Sequence, residues 1–385
     1  MRLSEAFGGM TDPRHPDMIQ YPLVEVIAIA LCALLAGADD WVEVAAFGKA
    51  KEDWLGTWLS LPKGIPSHDT FGRVFAWIDP QEFMQGFARW VQALQEHLPV
   101  AELADRPIRA IDGKQCRRSH TRLQGHPALH EVSVWASESR LILANQAVEE
   151  KSNEITAIPL LLRQLDIVGC LVTIDAMGCQ REIAQQIRDH GADYAQALKG
   201  NQGTLQADVI DCFTAATATR FAKVEHDRDE TVEKGHGRME LRQATIITDA
   251  ATLTWIQDQH HWPGLHAIGR IESERRLSTG EVTHDTRYYL LSAHLSAAQF
   301  QRAVRGHWGI ENSVHWVLDM AFLEDQSRVR VGHGAENLTL LRRLCLNLLR
   351  VDSSAKMGMK ARRKKAGWDL AYLLHLLSLL DDVAS

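Results

Sequence analysis

Two aspartates in this 385-residue chain lie in matching settings that favour metal chemistry. Asp112 follows an apolar run and precedes a glycine and several cations in "IRAIDGKQCRRS", and Asp175 has the same setting in "LVTIDAMG". Either aspartate alone would be typical of an ordinary turn or helix cap. Two carboxylates held close together are unfavourable unless a cation lies between them. The pair therefore predicts a divalent metal site that acts on phosphate groups, if the fold brings the two aspartates together.

A third acidic ligand is predicted in "RGHWGIENSVHWVLDMAFLEDQSRVR", which we interpret as part of one long helix. Polar residues recur near one face of that helix at steps of about four: Arg305, His307, Glu311, His315 and Asp319. Glu311 is the strongest candidate for the ligand, and the neighbouring bases could contact phosphate oxygens. Asp319, Glu324 and Asp325 remain alternatives. A solvated polar face on a surface helix would show a similar pattern.

The elements around these residues are predicted from hydrophobic periodicity and capping residues. Residues 1–104 read as helices, with Ser67 and Asp79 as N-caps. From residue 107 the order becomes β-β-β-α-β-α-β, with Asn153 capping the first of these helices. A ribonuclease-H-like domain begins with this order, and its first and fourth strands are parallel neighbours. Asp112 and Asp175, interpreted as the ends of those two strands, would then meet at one edge of the sheet.

The predicted fold class is α+β or α/β, with a ribonuclease-H-like mixed sheet flanked by helices. We expect a helical domain for DNA or partner docking over residues 1–104 and a catalytic domain over residues 105–350. A β-rich insertion at about 215–292 precedes the last catalytic helix. Residues 351–385 are expected to form a basic tail and a helix.

Composition is that of a globular protein, with 45% hydrophobic and 24% charged residues. The net charge of −7 disfavours a nucleic-acid partner, but residues 328–365 hold eleven Lys or Arg and only two acids. The apolar segment 26–38 is too short to span a bilayer and predicts a buried helix. Scattered cysteines without zinc-like spacing and the absence of a signal-peptide pattern predict a cytoplasmic protein, nucleoid-associated when bound to DNA.

The segments "AIDGK", "VTIDAMGCQ", "ALKGNQ" and "RGHWGIENSVHWVLDMAFLEDQSRVR" resemble the DDE transposases of bacterial insertion sequences. The H-repeat-associated group is the most similar branch, and "GIPSHDTFGRVF" resembles its N-terminal helical domain. The resemblance implies Asp112, Asp175 and Glu311 as catalytic residues and as ligands of two Mg²⁺ ions, for which Mn²⁺ would substitute. The Tyr, Arg and Lys that frame the glutamate in many relatives are replaced here by Val304, His307 and Leu318.

The implied function is a transposase that binds the inverted-repeat ends of its element, cleaves them and joins them to target DNA. A homodimer is expected on double-stranded DNA. The candidate DNA contacts are Lys114, Lys199, Arg238, Arg305, His307, His315, Arg362, Arg363, Lys364 and Lys365, with His236 and Arg242 as further possibilities and Trp255 or Trp262 for base stacking. Two alternatives remain: a transposase-derived DNA-binding protein without catalysis, and a stand-alone ribonuclease-H-like nuclease.

Overall fold

A computed structural model of the chain describes residues 3–97, 106–120, 127–148, 153–235 and 238–379. The α-helices are α1 (Leu3–Phe7), α2 (Leu23–Leu35), α3 (Trp41–Ala50), α4 (Glu52–Leu55), α5 (His68–Trp77), α6 (Pro80–His97), α7 (Glu154–Gln164), α8 (Arg181–Asp189), α9 (Gly203–Ala218), α10 (Ala250–His260), α11 (Ala297–Ile310), α12 (Trp316–Phe322), α13 (Gly334–Val351), α14 (Met359–Trp368) and α15 (Leu370–Ser378). The strands are β1 (Ile108–Gln115), β2 (His130–Ala136), β3 (Leu141–Ala147), β4 (Leu171–Ile174), β5 (Asp193–Leu198), β6 (His226–Gly235), β7 (Arg238–Ile247), β8 (Ala267–Leu277) and β9 (Val282–Leu291).

The N-terminal helices begin where the capping residues predict. The hydroxyl oxygen of Ser67 accepts a hydrogen bond from the backbone N–H of Thr70 at the start of α5. A carboxylate oxygen of Asp79 accepts one from the N–H of Gln81, just after Pro80 opens α6. Nearly every side chain of α2 is buried, which confirms the predicted interior helix. In the described ranges, no helix is both long and apolar enough to cross a membrane.

In the described part of the chain, one nine-stranded mixed sheet has the order β3-β2-β1-β4-β5-β9-β8-β7-β6. β1 pairs antiparallel with β2 and parallel with β4, and β4 pairs parallel with β5. This arrangement confirms the predicted ribonuclease-H-like order and the pairing of the first and fourth strands. The turns and helices that follow β1 and β4 therefore start from neighbouring positions in the sheet.

Asp112 does not end its strand, so that part of the sequence interpretation was wrong. The parallel ladder between β1 and β4 ends at Ile111 and Ile174, but β1 continues to Gln115. Beyond the ladder, β1 remains paired with β2, and Asp112 lies opposite Ser133. Antiparallel hydrogen bonds to β2 thus extend the strand past the point where the shorter β4 stops.

The predicted β-rich insertion supplies β6, β7, β8 and β9 and also contains α10. All four strands are antiparallel to their neighbours, and β9 pairs with β5 of the central sheet. The insertion therefore lengthens the central sheet, and a separate β-layer is not formed by these strands.

Helices cover the sheet and join the two ends of the chain. α7 packs on β2 and β3, α8 packs on β5, and α11 contacts β1, β4, β6 and β7. α13 lies against β3 and against α2, α5 and α6. One large hydrophobic core consequently runs from the N-terminal helices through the sheet to α13 and α15, and a second, smaller cluster lies between the sheet and α11. The helix carrying the predicted third acid is thereby fixed against the strands that carry the two aspartates.

Candidate metal centre

β1 and β4 bring Asp112 and Asp175 to neighbouring positions. Each aspartate follows the last residue of the parallel ladder on its strand, Ile111 on β1 and Ile174 on β4. Asp175 opens a turn in which its carboxylate accepts hydrogen bonds from the N–H groups of Met177 and Gly178, at 3.0 and 3.4 Å. These bonds fix the direction of the Asp175 side chain.

Glu311 reaches the aspartates from an irregular turn of helix. The predicted long helix runs without a break but is not regular: α11 extends to Ile310, a π-helical turn spans Glu311–His315, and α12 continues from Trp316. A π-helical turn within an α-helix rotates the side chains that follow it relative to regular α-helical spacing. Glu311 and His315, four residues apart, both lie beside Asp112 in this arrangement.

The donor atoms of three side chains converge at the centre. The Nδ1 atom of His315 lies 3.5 Å from Oδ2 of Asp112 and 3.7 Å from Oε2 of Glu311. One donor atom from each residue lies within 4.8 Å of the other two. Asp175 is not a member of this closest group, although its charge acts on Asp112.

Crowded negative charge perturbs both aspartates. Burial raises the pKa of Asp112 to about 7, and the nearby carboxylates of Asp175, Glu154 and Glu311 add to the increase. Burial and Glu154 also raise the pKa of Asp175, against the lowering effect of the N–H groups of Gly178 and Met177. A bound divalent cation would relieve this repulsion, so the electrostatics favour a metal site.

A fourth carboxylate, Glu154, was missed from the sequence. It is buried in the first turn of α7, and its Oε1 lies 2.8 Å from Nε2 of His130 on β2. The hydrogen bond between His130 and Glu154 raises the pKa of His130. A Cβ added at Gly113 would lie 2.0 Å from Oε1 of Glu154, so the glycine beside Asp112 makes room for this acid. The only sequence signal was an acid directly after the Asn153 cap, which is common at helix starts.

His315 is almost fully enclosed. Burial lowers its pKa to about 3, and the positive charges of Arg343 and Lys114 act in the same direction. The ring is therefore neutral at physiological pH. Its Nε2 atom is buried and has no hydrogen-bond partner among the described residues. The predicted DNA contact by His315 is wrong, because the residue is only 5% exposed.

Lys114 belongs to a buried ionic network, so its predicted contact with DNA is also wrong. Its ammonium lies 2.7 Å from Asp319, 3.1 Å from Glu324 and 3.4 Å from Asp325. Burial alone would lower the pKa of Lys114, but Glu324 raises it overall. The three alternatives for the third ligand are thus all engaged with Lys114, whereas Glu311 faces Asp112.

A cleft of about 590 Å³ opens over the acids. Asp112, Asp175 and Glu311 line it together with residues that could contact nucleic acid: Lys199, Arg287, His307 and Trp308. Lys199 is exposed, and the guanidinium of Arg287 lies 4.4 Å from the ring centroid of Trp308. Trp308, which is partly exposed, lines the cleft together with Tyr288 and Tyr289.

The aromatic residues proposed for base stacking lie elsewhere. Trp262 is fully buried, which excludes it from stacking on a base. Trp255 is exposed on α10, in the segment between β7 and β8. His236 lies outside the described residues. Nothing in the sequence distinguished Trp308 from the other tryptophans, because its exposure depends on the packing of α11.

The remaining candidate bases differ in accessibility. Arg305 is exposed and paired with Glu233 on β6, while the ring of His307 contacts Thr173 of β4 at 3.2 Å. Burial lowers the pKa of His307 to about 4. Arg238 is exposed at the start of β7, and Arg242 pairs with Glu233 and Glu240.

The basic run on α14 is only partly exposed. Arg363 is buried, and its guanidinium donates to Asp39 and to the backbone carbonyls of Leu34, Ala38 and Ala321, so its predicted contact with DNA is wrong. Arg362 donates to the carbonyls of Leu349, Asp352 and Met357 near the end of α13. The ammonium of Lys365 lies over the ring of Tyr372, and Lys364 is exposed. Packing of α14 against the body thus leaves Lys360 and Lys364 as the exposed bases of this helix.

The fold and the site define a ribonuclease-H-like protein with a carboxylate centre. Residues 103–348 match the family described as the transposase DDE domain, and residues 4–91 match the DDE_Tnp_1-associated family. The chain is 37% identical to "Putative transposase YncI" of Escherichia coli O157:H7 over 95% of its own length and 92% of that protein. It is 34% identical to "H repeat-associated putative transposase YhhI" of Escherichia coli (strain K12), over 98% of each chain.

The chain therefore belongs to the DDE transposase family, and its relatives include H repeat-associated members. A further relative, "Uncharacterized protein in dhlA 3'region" of Xanthobacter autotrophicus, is 43% identical over 73% of this chain and 91% of its own. The DDE domain implies the use of divalent metal, and the cluster of acidic residues agrees with it.

Proposed function

We propose that this chain is an active DNA transposase. It binds the terminal inverted repeats of an insertion sequence and catalyses metal-dependent strand cleavage followed by strand transfer to target DNA. The observation that carries the proposal is the convergence of Asp112, Glu311 and His315 within 4.8 Å, directly beside Asp175. Two DNA ends must be brought together for transfer, so we further propose a homodimer on DNA.

The donor set fits divalent cations. Carboxylate oxygens are the preferred ligands of Mg²⁺ and Mn²⁺. Asp112, Asp175 and Glu311 would hold the two ions, since the charges of both other carboxylates act on Asp112. The chemistry that these residues would gain from bound ions is activation of an attacking water or 3′-hydroxyl and neutralisation of charge on the leaving oxygen.

The chain's own residues orient the acids and the DNA. The N–H groups of Met177 and Gly178 hold the Asp175 carboxylate in place, and the buried Glu154, hydrogen-bonded to His130, adds negative charge behind it. Lys199 and Arg287 line the cleft where they could bind phosphate oxygens. Lys364 and Arg238 are both exposed, and we propose that they contact the sugar-phosphate backbone of the DNA outside the cleft.

Trp308 is proposed to stack on a base beside the scissile phosphate. Its partly exposed ring lines the cleft three residues before Glu311, and the guanidinium of Arg287 covers one part of it. Aromatic side chains bind unpaired bases without sequence preference, and each stacked base contributes about 1–3 kcal/mol. This role replaces the one first considered for Trp262.

The test uses a labelled duplex made from the DNA flanking the gene, incubated with the chain, a target plasmid and Mg²⁺ or Mn²⁺. The expected products are cleaved ends and ends joined to the plasmid, and both require divalent metal. Cleavage without joining would favour the stand-alone nuclease. Specific binding of the ends with neither reaction would favour the transposase-derived DNA-binding protein and would contradict the proposal.

A further inference from the structure

We propose that His315 is a direct metal ligand, so that the ion between Asp112 and Glu311 has one nitrogen donor in addition to carboxylates. This inference rests on the proposed function, because it assigns a further ligand to the same centre. A nitrogen donor would change which divalent ion the centre prefers. Imidazole suits transition-metal ions, whereas Mg²⁺ is bound almost entirely through oxygen.

The geometry around Nδ1 supports ligation. Its distances of 3.5 Å to Asp112 and 3.7 Å to Glu311 are longer than an N–H···O hydrogen bond, which is about 2.7–3.2 Å. Donor atoms that share one ion at about 2.1 Å lie roughly 3–4 Å from one another. The two distances from Nδ1 therefore fit ligands of one ion, and the oxygens of Asp112 and Glu311 lie within 4.8 Å of each other.

The burial of His315 needs an explanation that packing does not supply. Its side chain is 6% exposed, and its Nε2 atom lacks a hydrogen-bond partner among the described residues. Burial of a polar group without a partner is unfavourable by about 1–3 kcal/mol. An apolar side chain would fill the same space without this unfavourable free energy. A metal bond to Nδ1 would offset the free energy lost by burying Nε2.

The fold holds the ring in this position. His315 ends the π-helical turn, and Trp316 continues directly into α12, which packs against α13 and α14. A π-helical turn has one more residue in each hydrogen-bonded ring than an α-helix. The directions of the Glu311 and His315 side chains relative to each other therefore differ from those in a regular α-helix. The irregular turn thus brings both donors to Asp112.

The predicted consequence is a preference for Mn²⁺ over Mg²⁺ in binding, before any DNA is added. Carboxylates suit both ions, but Mn²⁺ is a transition-metal ion and accepts an imidazole nitrogen more readily than Mg²⁺, so the nitrogen donor should strengthen binding of Mn²⁺ more than binding of Mg²⁺. Removal of the imidazole should therefore weaken Mn²⁺ binding by about tenfold or more and Mg²⁺ binding much less.

The test measures metal binding by the full chain without DNA. Free Mn²⁺ is quantified by electron paramagnetic resonance, Mg²⁺ is measured by competition, and pulsed resonance of the bound Mn²⁺ detects ¹⁴N coupling from a coordinated imidazole. The unaltered chain should show ¹⁴N coupling, and His315→Ala should lose both the coupling and at least about tenfold in Mn²⁺ affinity. His260→Asn is the matched control. His260 of α10 is about as buried as His315 but is paired with Asp208 of α9 at 2.6 Å, so this variant should retain both the ¹⁴N coupling and the Mn²⁺ affinity.

The outcomes separate this inference from the proposed function. Bound Mn²⁺ without ¹⁴N coupling in the unaltered chain, or coupling that survives in His315→Ala, would overturn the role of His315 and leave the carboxylate centre intact. Glu311→Gln, which removes a carboxylate ligand, should weaken both metals. If Glu311→Gln has no effect on either metal, or if the unaltered chain binds no Mn²⁺, the metal centre itself is refuted. Because the coupling is measured on the unaltered chain, a His315→Ala variant that fails to fold does not prevent the test.

Discussion

Lys114 and Glu324 form a buried ion pair, with 3.1 Å between the ammonium and a carboxylate oxygen. The pair joins β1, which carries Asp112, to the short helical segment that follows α12. Glu324 also lies 3.1 Å from Arg343 of α13, which in turn lies 3.2 Å from Glu131 of β2. A chain of alternating charges thus fixes the strand of the first aspartate relative to the helix of the glutamate.

Replacement of Glu324 by Gln should strongly destabilise the protein. Lys114 and Arg343 would lose the anion between them. Asp319, Asp325 and Glu131 would still pair with these cations, so the loss should be up to about 3–5 kcal/mol, the effect of breaking a buried ion pair. Urea unfolding of the metal-free chain should show a decrease in this range. Glu233→Gln is the control, because Glu233 pairs with Arg305 and Arg242 at the surface, where such pairs contribute at most about 1 kcal/mol. Similar small losses in both variants would contradict the structural role of the network.

Replacement of Asp112 by Asn should stabilise the metal-free protein at pH 8. The folded-state pKa of Asp112 is raised to about 7, so its charged form destabilises the fold as the pH rises from about 4 to 7, and the full penalty is present above that. We expect the free energy of unfolding to rise by about 1–3 kcal/mol in the variant. The same variant should lose most of the stabilisation that Mn²⁺ gives to the unaltered chain. A metal-free variant that is less stable than the unaltered chain at pH 8 would contradict this prediction.

Sequence reasoning located most of the elements, and the predicted pairing of the first and fourth strands brought Asp112 and Asp175 to neighbouring positions. The cap residues Ser67, Asp79 and Asn153 marked helix starts because a capping side chain acts within a few residues. The β-β-β-α-β-α-β order fixed the neighbours of β1 because parallel strands need a crossover connection. Both signals are local or topological, so they can be seen without the packed structure.

Features that depend on packing between distant segments were missed. Lys114 looked like a solvated lysine, because its acidic partners lie about 200 residues further along the chain. Arg363 looked like part of an exposed basic run until α14 packed against α2 and α12. The π-helical turn spans only five residues, too few for hydrophobic periodicity to reveal it. Glu154 had only the signal of an ordinary first-turn acid.

Asp352 should anchor the C-terminal helices in a pH-dependent way. It accepts hydrogen bonds from the hydroxyls of Tyr372 and Ser354, and despite its burial these bonds lower its pKa to about 2. A lowered folded-state pKa stabilises the protein above about pH 4, and this contribution is lost as the pH falls toward 2.

Asp352→Asn should therefore destabilise the chain by about 2 kcal/mol at pH 6 and by less at pH 3. Urea unfolding at both pH values measures the difference. Asp258→Asn, which alters an exposed aspartate on α10, should have little effect at either pH. A loss for Asp352→Asn that is equal at pH 6 and pH 3 would show that the carboxylate charge is not responsible.

Lys199 and Arg363 should give opposite results when each is replaced by Gln. Lys199 is exposed in the cleft, so its loss should weaken DNA binding and leave stability unchanged. The slope of log affinity against log salt concentration should fall by about one, the value for one phosphate contact. Arg363 is buried with four acceptors, so its loss should lower the free energy of unfolding by several kcal/mol, about 3 or more. DNA affinity measured against salt concentration, together with urea unfolding, separates the two. A lower salt dependence in a folded Arg363→Gln variant would reverse the assignment.

The most direct test of the account compares DNA cleavage by the unaltered chain with cleavage by Glu311→Gln and Asp319→Asn, on the end-containing duplex with Mn²⁺. Asp319 is the matched control, since it is an acid eight residues away that pairs with Lys114 at 2.7 Å. We predict that Glu311→Gln loses roughly a hundredfold or more of the cleavage rate while it still binds the DNA ends, and that Asp319→Asn cleaves within about tenfold of the unaltered chain. Cleavage that persists in Glu311→Gln and disappears in Asp319→Asn would contradict the assignment of the third carboxylate and, with it, the proposed centre.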